Sequence, residues 1–287
     1  MKPLAVPKTL TTDSRRDAMT SKSEGVEIGQ ERNVFLSDID GMKVLITGSS
    51  TGIGAAGAVA FAALGASVAV HYNSSKSEAT ATAARISESG GRAVLVSGNL
   101  RQRGMAREIV AEAAEKLDGL DILINNAGSL VGRKPFAETD DDFIDSVFDL
   151  NVRSVIEATR AAIPHLEKSG QGAIINVGSI AGNNGGGPGT GIYGSSKAFI
   201  HNLTRHLATD LASRRIRVNA IAPGVIATPF HAATPPERME AMRKAVQLGR
   251  IGDPAECAGT MVFLASPSMS GYITGQIIHI NGGQLMP

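Results

Sequence analysis

Cysteine is almost missing from this chain: Cys257 is the only one in 287 residues. An internal disulfide is excluded, and a reducing compartment such as the cytoplasm is expected. Cys257 lies in the largely apolar stretch 255–265, where a packed thiol is expected rather than a reactive one. Excess charge is missing too. A formal net charge of +1 offers no basic or acidic surface, so neither nucleic acid nor membrane is expected as a partner. No apolar run approaches the ~18 residues of a membrane span, and none near the start resembles a signal peptide. The six histidines are scattered, without close cysteine or carboxylate neighbours, so no metal site is expected.

What is present is globular. Hydrophobic residues make up 43% of the chain and glycine occurs 33 times, enough for a core of domain size. Residues 1–40 are polar, with no sustained apolar period, and are expected to form a flexible N-terminal extension. Arg15 and Arg16 hint at a transit peptide, but Asp13, Asp17, Glu24 and Glu27 argue against one. The character changes at Met42, and 41–287 reads as one catalytic domain.

Val44-Leu45-Ile46 is a short apolar run of the kind buried in a parallel strand. It leads into Thr47-Gly48-Ser49-Ser50-Thr51-Gly52-Ile53-Gly54, then an Ala-rich helix over 53–64 and a strand over 67–72. Strand, Gly-rich turn, helix and strand within about thirty residues is the context that a dinucleotide-binding turn requires. Its glycines allow close backbone approach, and the helix N-terminus favours a pyrophosphate. Further strands are expected at 93–96, 121–125, 173–177, 217–221 and 277–281. Helices are expected at 76–89, 103–116, 141–163, through 193–213 and at 254–264. This alternation implies an α/β fold: a single-domain, Rossmann-type doubly wound parallel sheet with helices on both faces.

Ligands of such a sheet bind outside the carboxyl ends of its strands. Asn126, Ala127 and Gly128 follow the fourth strand, Ser179 the fifth and Pro223-Gly224 the sixth, so all converge with the Gly turn on one crevice. Tyr193 and Lys197 are four residues apart, one above the other on a helix face. A tyrosine titrates near ~10 and is a poor acid or base at neutral pH, while a fixed ammonium nearby favours its phenolate. The pair alone is common, and its meaning depends on its surroundings.

Those surroundings carry a resemblance. Thr47-Gly48-x3-Gly52-x-Gly54, Asn125-Asn126-Ala127-Gly128, Asn151, Ser179, Tyr193-x3-Lys197 and Pro223-Gly224 together resemble the short-chain dehydrogenase/reductase family over residues 41–285. The resemblance implies an NAD(P)-dependent enzyme that interconverts a ketone and a secondary alcohol by hydride transfer. It implies that Tyr193 is the general acid or base, that Lys197 lowers its pKa and holds the nicotinamide ribose, and that Ser179 orients the carbonyl. Asn151 would hold a water behind Lys197. Cofactor contacts are implied for Gly48, Ser50, Thr51, Gly52, Ile53, Gly54, Tyr72, Asn73, Ser74, Asn99, Leu100, Asn126, Ala127, Gly128, Tyr193, Lys197, Pro223, Gly224, Ile226 and Thr228.

Two departures bear on the cofactor. NAD-specific members of this fold end the second strand with an acidic residue for the ribose 2′-OH. Here the position holds Tyr72, followed by Asn73, Ser74, Ser75 and Lys76, so NADP(H) is favoured and NAD(H) stays open because Thr51 stands where many NADP-preferring relatives have Arg. Asn99 replaces the family's usual Asp at the adenine, and accepts without charge assistance.

The loop 182–191, with Gly185-Gly186-Gly187, is expected to be a mobile wall of the substrate pocket. Residues 225–249 read as a lid in which Pro235-Pro236 starts a short helix. Met239, Met242 and Val246 either contact substrate or pack the lid. In overall look the chain is similar to 3-oxoacyl-(acyl-carrier-protein) reductases, with sugar or polyol dehydrogenases close behind. A carrier-bound substrate would use a basic rim, for which Lys168, Arg214 and Arg215 are candidates. The family habit is a homotetramer through the helices at 141–163 and 194–213 and the C-terminal segment. A non-catalytic dinucleotide-binding sensor is the rival from another class, and it would normally have lost part of the catalytic set.

Overall fold

Val44, Leu45 and Ile46 alternate across the sheet: Val44 and Ile46 enter one apolar cluster and Leu45 the other, and all three are fully buried. A strand that is apolar on both faces must be covered on both. The computed structural model describes residues 37–287 and builds the cover from alternating elements. They run β1 (Lys43–Ile46), α1 (Gly52–Ala63), β2 (Ser67–Tyr72), α2 (Lys76–Glu88), β3 (Arg92–Ser97), α3 (Met105–Leu117) and β4 (Ile122–Asn125). Then follow α4 (Asp141–Phe148), α5 (Ser154–Ser169), β5 (Ala173–Val177), α6 (Ala181–Asn184), α7 (Gly191–Leu211) and β6 (Arg217–Pro223). The chain ends with α8 (Pro236–Lys244), α9 (Pro254–Ala265), α10 (Pro267–Ser270) and β7 (Ile277–Ile280).

The seven strands form one parallel sheet in the order β3-β2-β1-β4-β5-β6-β7. The chain starts at the centre, winds out to β3 and crosses back to β4, which opens a crevice at the carboxyl ends of β1 and β4. One face is packed by α1 and α9, with Phe61, Met261 and Leu264 fully buried. The other is packed by α3, α5 and α7, with Ile109, Leu166 and Leu211 buried.

Local chemistry sets the helix ends. Asp253 and Glu256 form a capping box at α9, with Pro254 at its first position, and Arg250 pairs with Glu256 through two bonds of 2.7 and 2.6 Å. At the other end Arg217 donates to the carbonyls of Leu264 and Ala265, a cation placed on the negative end of α9. Cys257 is buried in α9, and its thiol is pushed up to about 12 by burial and by the Glu256 and Asp253 carboxylates.

The expected extension 1–40 lies outside the described residues up to 36. Residues 37–40 belong to the body: Ile39 is fully buried, and Asp38 accepts from the Ser266 hydroxyl and the Ser268 N–H. The helix expected over 141–163 is interrupted. α4 and α5 are joined by a π-helical turn, Asp149–Arg153, and the helix continues through Pro164 to Ser169. The unbroken apolar period hid this turn, which belongs to a type frequent at functional sites.

Candidate active site

The Gly turn is built so tightly that only hydrogen fits. A Cβ on Gly54 would lie 2.5 Å from both Asn126 Nδ2 and the Gly48 carbonyl oxygen. Gly48 and Gly52 hold φ of +63° and +58°, and a Cβ on Gly52 would meet Thr228 at 3.2 Å. Asn126 donates from Nδ2 to the carbonyls of Thr47 and Gly48, while Thr47 Oγ1 accepts from the N–H of Asn126 and of Ala127. His71, buried at the end of β2, accepts the Gly48 N–H at Nδ1 (2.9 Å) and faces the Gly98 carbonyl with Nε2 (3.1 Å). That pairing fixes the neutral tautomer with the proton on Nε2, and burial holds its pKa below the ordinary histidine range.

The residues present fit a dinucleotide. No side chain caps α1 and no acidic residue occupies its first turn, so its leading N–H groups face the crevice available to an anion. The crevice opens into a cleft of about 830 Å3. Gly48, Ser50, Thr51, Gly52, Ile53, Tyr72, Asn73, Ser74, Asn99, Leu100, Asn126, Ala127, Gly128, Pro223, Gly224, Ile226 and Thr228 all line it. Gly54 does not; it packs beneath the turn. Asn99 Oδ1 already accepts the Arg101 N–H at 3.1 Å, which leaves it one lone pair for a ligand.

Ser179, Tyr193 and Lys197 line the same cleft. Ser179 follows β5, and its Oγ accepts the Ala181 N–H at 3.1 Å. Its own N–H points to Nε2 of His201 at 3.4 Å, one helical turn beyond Lys197. Gly178 and Gly182 make room for that imidazole, since a Cβ on either would come within 2.3 or 2.8 Å of it. Burial, with the nearby His279, Lys197 and Arg205, pushes His201 down to about 4.

Lys197 is buried and donates from Nζ to the Val177 carbonyl at 2.7 Å, with Nζ 5.7 Å from the centre of the Tyr193 ring. The expected lowering of the tyrosine is reversed here. Burial pushes the Tyr193 phenol up to about 12, against a hydrogen bond with Ser179 that pulls it down, and burial pushes Lys197 down to about 8. Desolvation disfavours the charged form of each group.

Asn151 is fully buried in the π-helical turn and does not line the cleft. Its Nδ2 donates to the carbonyls of Ser129 and Val147, and its Oδ1 accepts the Ser129 N–H at 3.2 Å. A Cβ on Gly128 would sit 2.8 Å from Asn151 Oδ1 and 3.2 Å from Lys197 Nζ, so the two polar atoms flank one small space kept open by that glycine.

The loop 182–191 carries local hydrogen bonds of its own. It holds α6, the Asn184 side chain accepts the Gly186 N–H, and the Thr190 hydroxyl donates to Gly187. Of the lid candidates, Met242 lines the cleft, Val246 packs against Gly282, and Met239 does neither. Residues the sequence did not single out complete this wall: Arg133, Phe230, His231, Arg238 and Gln284. Phe230 packs on Tyr193 with ring centres 5.8 Å apart, and His231 on Phe230 at 5.2 Å. The proposed basic rim is misplaced. Lys168, Arg214 and Arg215 lie where α5 and α7 return to the starts of β5 and β6, the opposite edge of the sheet, and Arg214 pairs with Glu167 there at 3.4 Å.

No helix among the described residues is long and apolar enough to cross a membrane. A family model described as enoyl-(acyl carrier protein) reductase matches residues 48–284. A 3-oxoacyl-(acyl-carrier-protein) reductase of Synechocystis is 38% identical over 242 residues, 84% of this chain and 96% of that protein. The uncharacterized oxidoreductase YhdF of Bacillus subtilis is 35% identical over 95% of this chain and 93% of its own length. Among solved structures, an NADH-dependent reductase responsible for alginate metabolism superimposes with a TM-score of 0.81 at 38% identity, covering 88% of this chain and 100% of that one. A short-chain dehydrogenase from Burkholderia cenocepacia in complex with NADP gives 0.81 at 34% identity, covering 86% and 99%. With this fold, this crevice and these relatives, the chain belongs to the short-chain dehydrogenase/reductase family of NAD(P)-dependent oxidoreductases.

Proposed function

We propose that the protein transfers hydride reversibly between NADP(H) and a ketone or secondary alcohol, with Asn151, Ser179, Tyr193 and Lys197 as its working set. The observation that carries this reading is that Ser179, Tyr193 and Lys197 share one cleft with the Gly turn. The bound nicotinamide supplies the hydride. Tyr193 and Ser179 hydroxyls donate to the oxygen on which charge grows, and Tyr193 passes it a proton. With the phenol at about 12 and the ammonium at about 8, both carry their protons near neutral pH, which suits the acid role in carbonyl reduction. Lys197 orients beside the phenol, and the space between Asn151 and Lys197 suits a relay water.

The preference for NADP(H) is supported by the neutral end of β2, where Tyr72, Asn73, Ser74 and Ser75 line the cleft and no carboxylate repels a 2′-phosphate. Relatives of both cofactor types are known, so NAD(H) use at lower affinity is part of the reading. For substrate, a 3-oxoacyl thioester, free or carrier-bound, is favoured by the curated relatives. A sugar or polyol is the second reading, favoured by the likeness to a reductase responsible for alginate metabolism. We also place residues 225–249 as a lid, and the working form as a cytoplasmic homotetramer through α4, α5, α7 and the C-terminal segment. Phe199 on α7 and Tyr272 leave apolar surface for such contacts.

The test is NADPH oxidation with an acetoacetyl thioester, set against NADP+ reduction with free sugars and polyols. Thioester turnover, faster with NADPH than NADH at limiting cofactor, is expected. Clear sugar oxidation without thioester turnover would replace the first reading by the second. Light scattering reads the mass.

A further inference from the structure

Among the described residues no aspartate or glutamate lines the cleft, whereas Arg101, Arg133, Lys197 and Arg238 all do. Lys197 sits beside Tyr193, and Arg101 donates to Ser146 at the Asn99 end. Arg133 and Arg238 belong to neither place. Arg133 comes from the segment after β4 and Arg238 from α8, and residues 187–189 run between them. Arg238 donates to the Pro188 carbonyl at 3.3 Å, and its Nη2 lies 3.5 Å from where a Cβ on Gly187 would be. Arg133 Cβ lies 3.3 Å from the corresponding point on Gly189, whose carbonyl accepts the Lys134 N–H.

The charge of Arg238 acts against that of Arg133. Desolvation and then the charge of Arg238 depress Arg133, and burial and then the charge of Arg133 depress His231. Neither arginine has an ion-pair partner among the described residues. His231 adds a buried Nδ1 without a hydrogen-bond partner. The group is linked to the proton donor by packed rings, His231 on Phe230 and Phe230 on Tyr193. Like charges gathered at the reacting end of a ligand cleft, with no carboxylate to balance them, are complementary to an anion that arrives with the ligand.

We propose that Arg133 and Arg238, with His231 beside them, form a subsite for a carboxylate, so that among free carbonyl compounds the cleft prefers oxo and hydroxy carboxylic acids to their neutral esters. This rests on the reading of the cleft as an NAD(P)-dependent carbonyl site. A guanidinium fork pairs with carboxylate and phosphate alike. The position selects the carboxylate: the cluster is two packed rings from Tyr193, whereas a whole pantetheine chain separates a thioester carbonyl from its phosphate.

The experiment is calorimetric titration of the protein saturated with NADP+, a combination that cannot react with a ketone because both are oxidised. The probes are 3-oxobutanoate, 4-oxopentanoate and 5-oxohexanoate, each against its methyl ester. At least one acid is expected to bind about tenfold or more tighter than its ester, the scale of a charged hydrogen-bonded contact. Arg133→Gln and Arg238→Gln each remove that advantage, and Arg238→Lys restores part of it. Circular dichroism checks that the variants fold, and both positions are at the rim, where truncation leaves the core intact.

Equal affinity for every acid and ester in the wild type overturns the subsite, as does an equal loss for both in the variants. Acetoacetyl-CoA and the neutral acetoacetyl N-acetylcysteamine thioester form the second arm. If the variants lose only a preference for the CoA thioester, the anion is a carrier phosphate and the carboxylate assignment is wrong. Turnover of neutral ketones without any acid preference sinks the subsite alone. Absence of NADPH oxidation with every carbonyl compound sinks the reaction class, while the binding comparison still reads the subsite.

Discussion

The two walls of the cleft are finished to different degrees. On the cofactor side the side chains that hold the Gly turn are already paired: Asn126 to Thr47 and Gly48, His71 to Gly48 and Gly98, and Thr82 to the Ser50 carbonyl. On the substrate side Arg133 and Arg238 flank residues 187–189 without an ion-pair partner among the described residues, and His231 Nδ1 and Gln284 Oε1 are buried without partners. A paired wall keeps its shape before a ligand arrives. An unpaired one carries a cost that the right ligand relieves, because a buried polar group without a partner costs about 1–3 kcal/mol. On the proposed reading, recognition of the common cofactor is built into the fold, and recognition of the particular substrate is left to side chains that still lack partners.

The comparison can be broken in several ways. Tyr193→Phe removes the proposed proton donor where the walls meet and is expected to slow turnover by roughly 10²–10⁴-fold. Thermal stabilisation by NADPH should survive this change; if it vanishes too, the phenol is part of the finished wall. Next in size is Gly54→Ala, whose Cβ would collide with Asn126 Nδ2 and the Gly48 carbonyl. NADPH should no longer raise the melting temperature of this variant, and an unaltered shift would mean that the turn is looser than its contacts imply.

Beneath both walls a buried polar chain crosses the sheet. Asn125 donates to Thr159 and Asn176, and Asn176 donates to Thr204. Asn176→Ala takes one bond from Asn125 and one from Thr204, which keep Thr159 and the Ile200 carbonyl as partners, and is expected to cost about 1 kcal/mol per bond in denaturant unfolding. A cost near zero would mean that the chain is dispensable.

Acid should act on both walls, because His231 on the substrate side is held down by burial as well. His71 and His201 are both held below the free value of 6.5, so the unfolded chain takes up protons first as the pH falls. Stability from these groups is complete above about 6.5 and declines below it, for His201 until about 4. Melting temperature should fall across that window, and His71→Asn, which keeps an acceptor for Gly48 without a titrating ring, should flatten the slope. An unchanged slope would detach His71 from this effect. The smallest effect expected is from Phe230→Leu, which trims the unfinished wall: a few-fold change in KM for the carbonyl, with the melting temperature unmoved. Phe230 is 40% exposed, so little core is lost.

Legibility in the sequence follows the same division. Apolar runs such as Val44-Leu45-Ile46 and the Gly turn could be read because their demands are local: a strand covered on both faces, a turn with room only for hydrogen. Tyr193 and Lys197 could be read as neighbours on one helix, but not their pKa values, since burial is decided by what packs around them. His71 left one usable signal, a polar residue within an otherwise apolar strand. Arg133, His231 and Arg238 left none, because a cation on a loop or a short helix looks the same in sequence whether it faces solvent or a cleft. Lys168, Arg214 and Arg215 failed for a related reason: the helices carrying them run back to the far edge of the sheet, so their ends lie away from the site.

The solitary thiol gives a practical handle. Cys257 is buried in α9 with its ionisation pushed up to about 12, so at neutral pH it is shielded from thiol reagents and holds almost no thiolate. The native chain is therefore nearly silent toward maleimide dyes, and a single cysteine introduced on α8 would be the one position that takes a label. A fluorophore there would report whether residues 225–249 move over the cleft as cofactor and substrate arrive, with no need to remove Cys257 first.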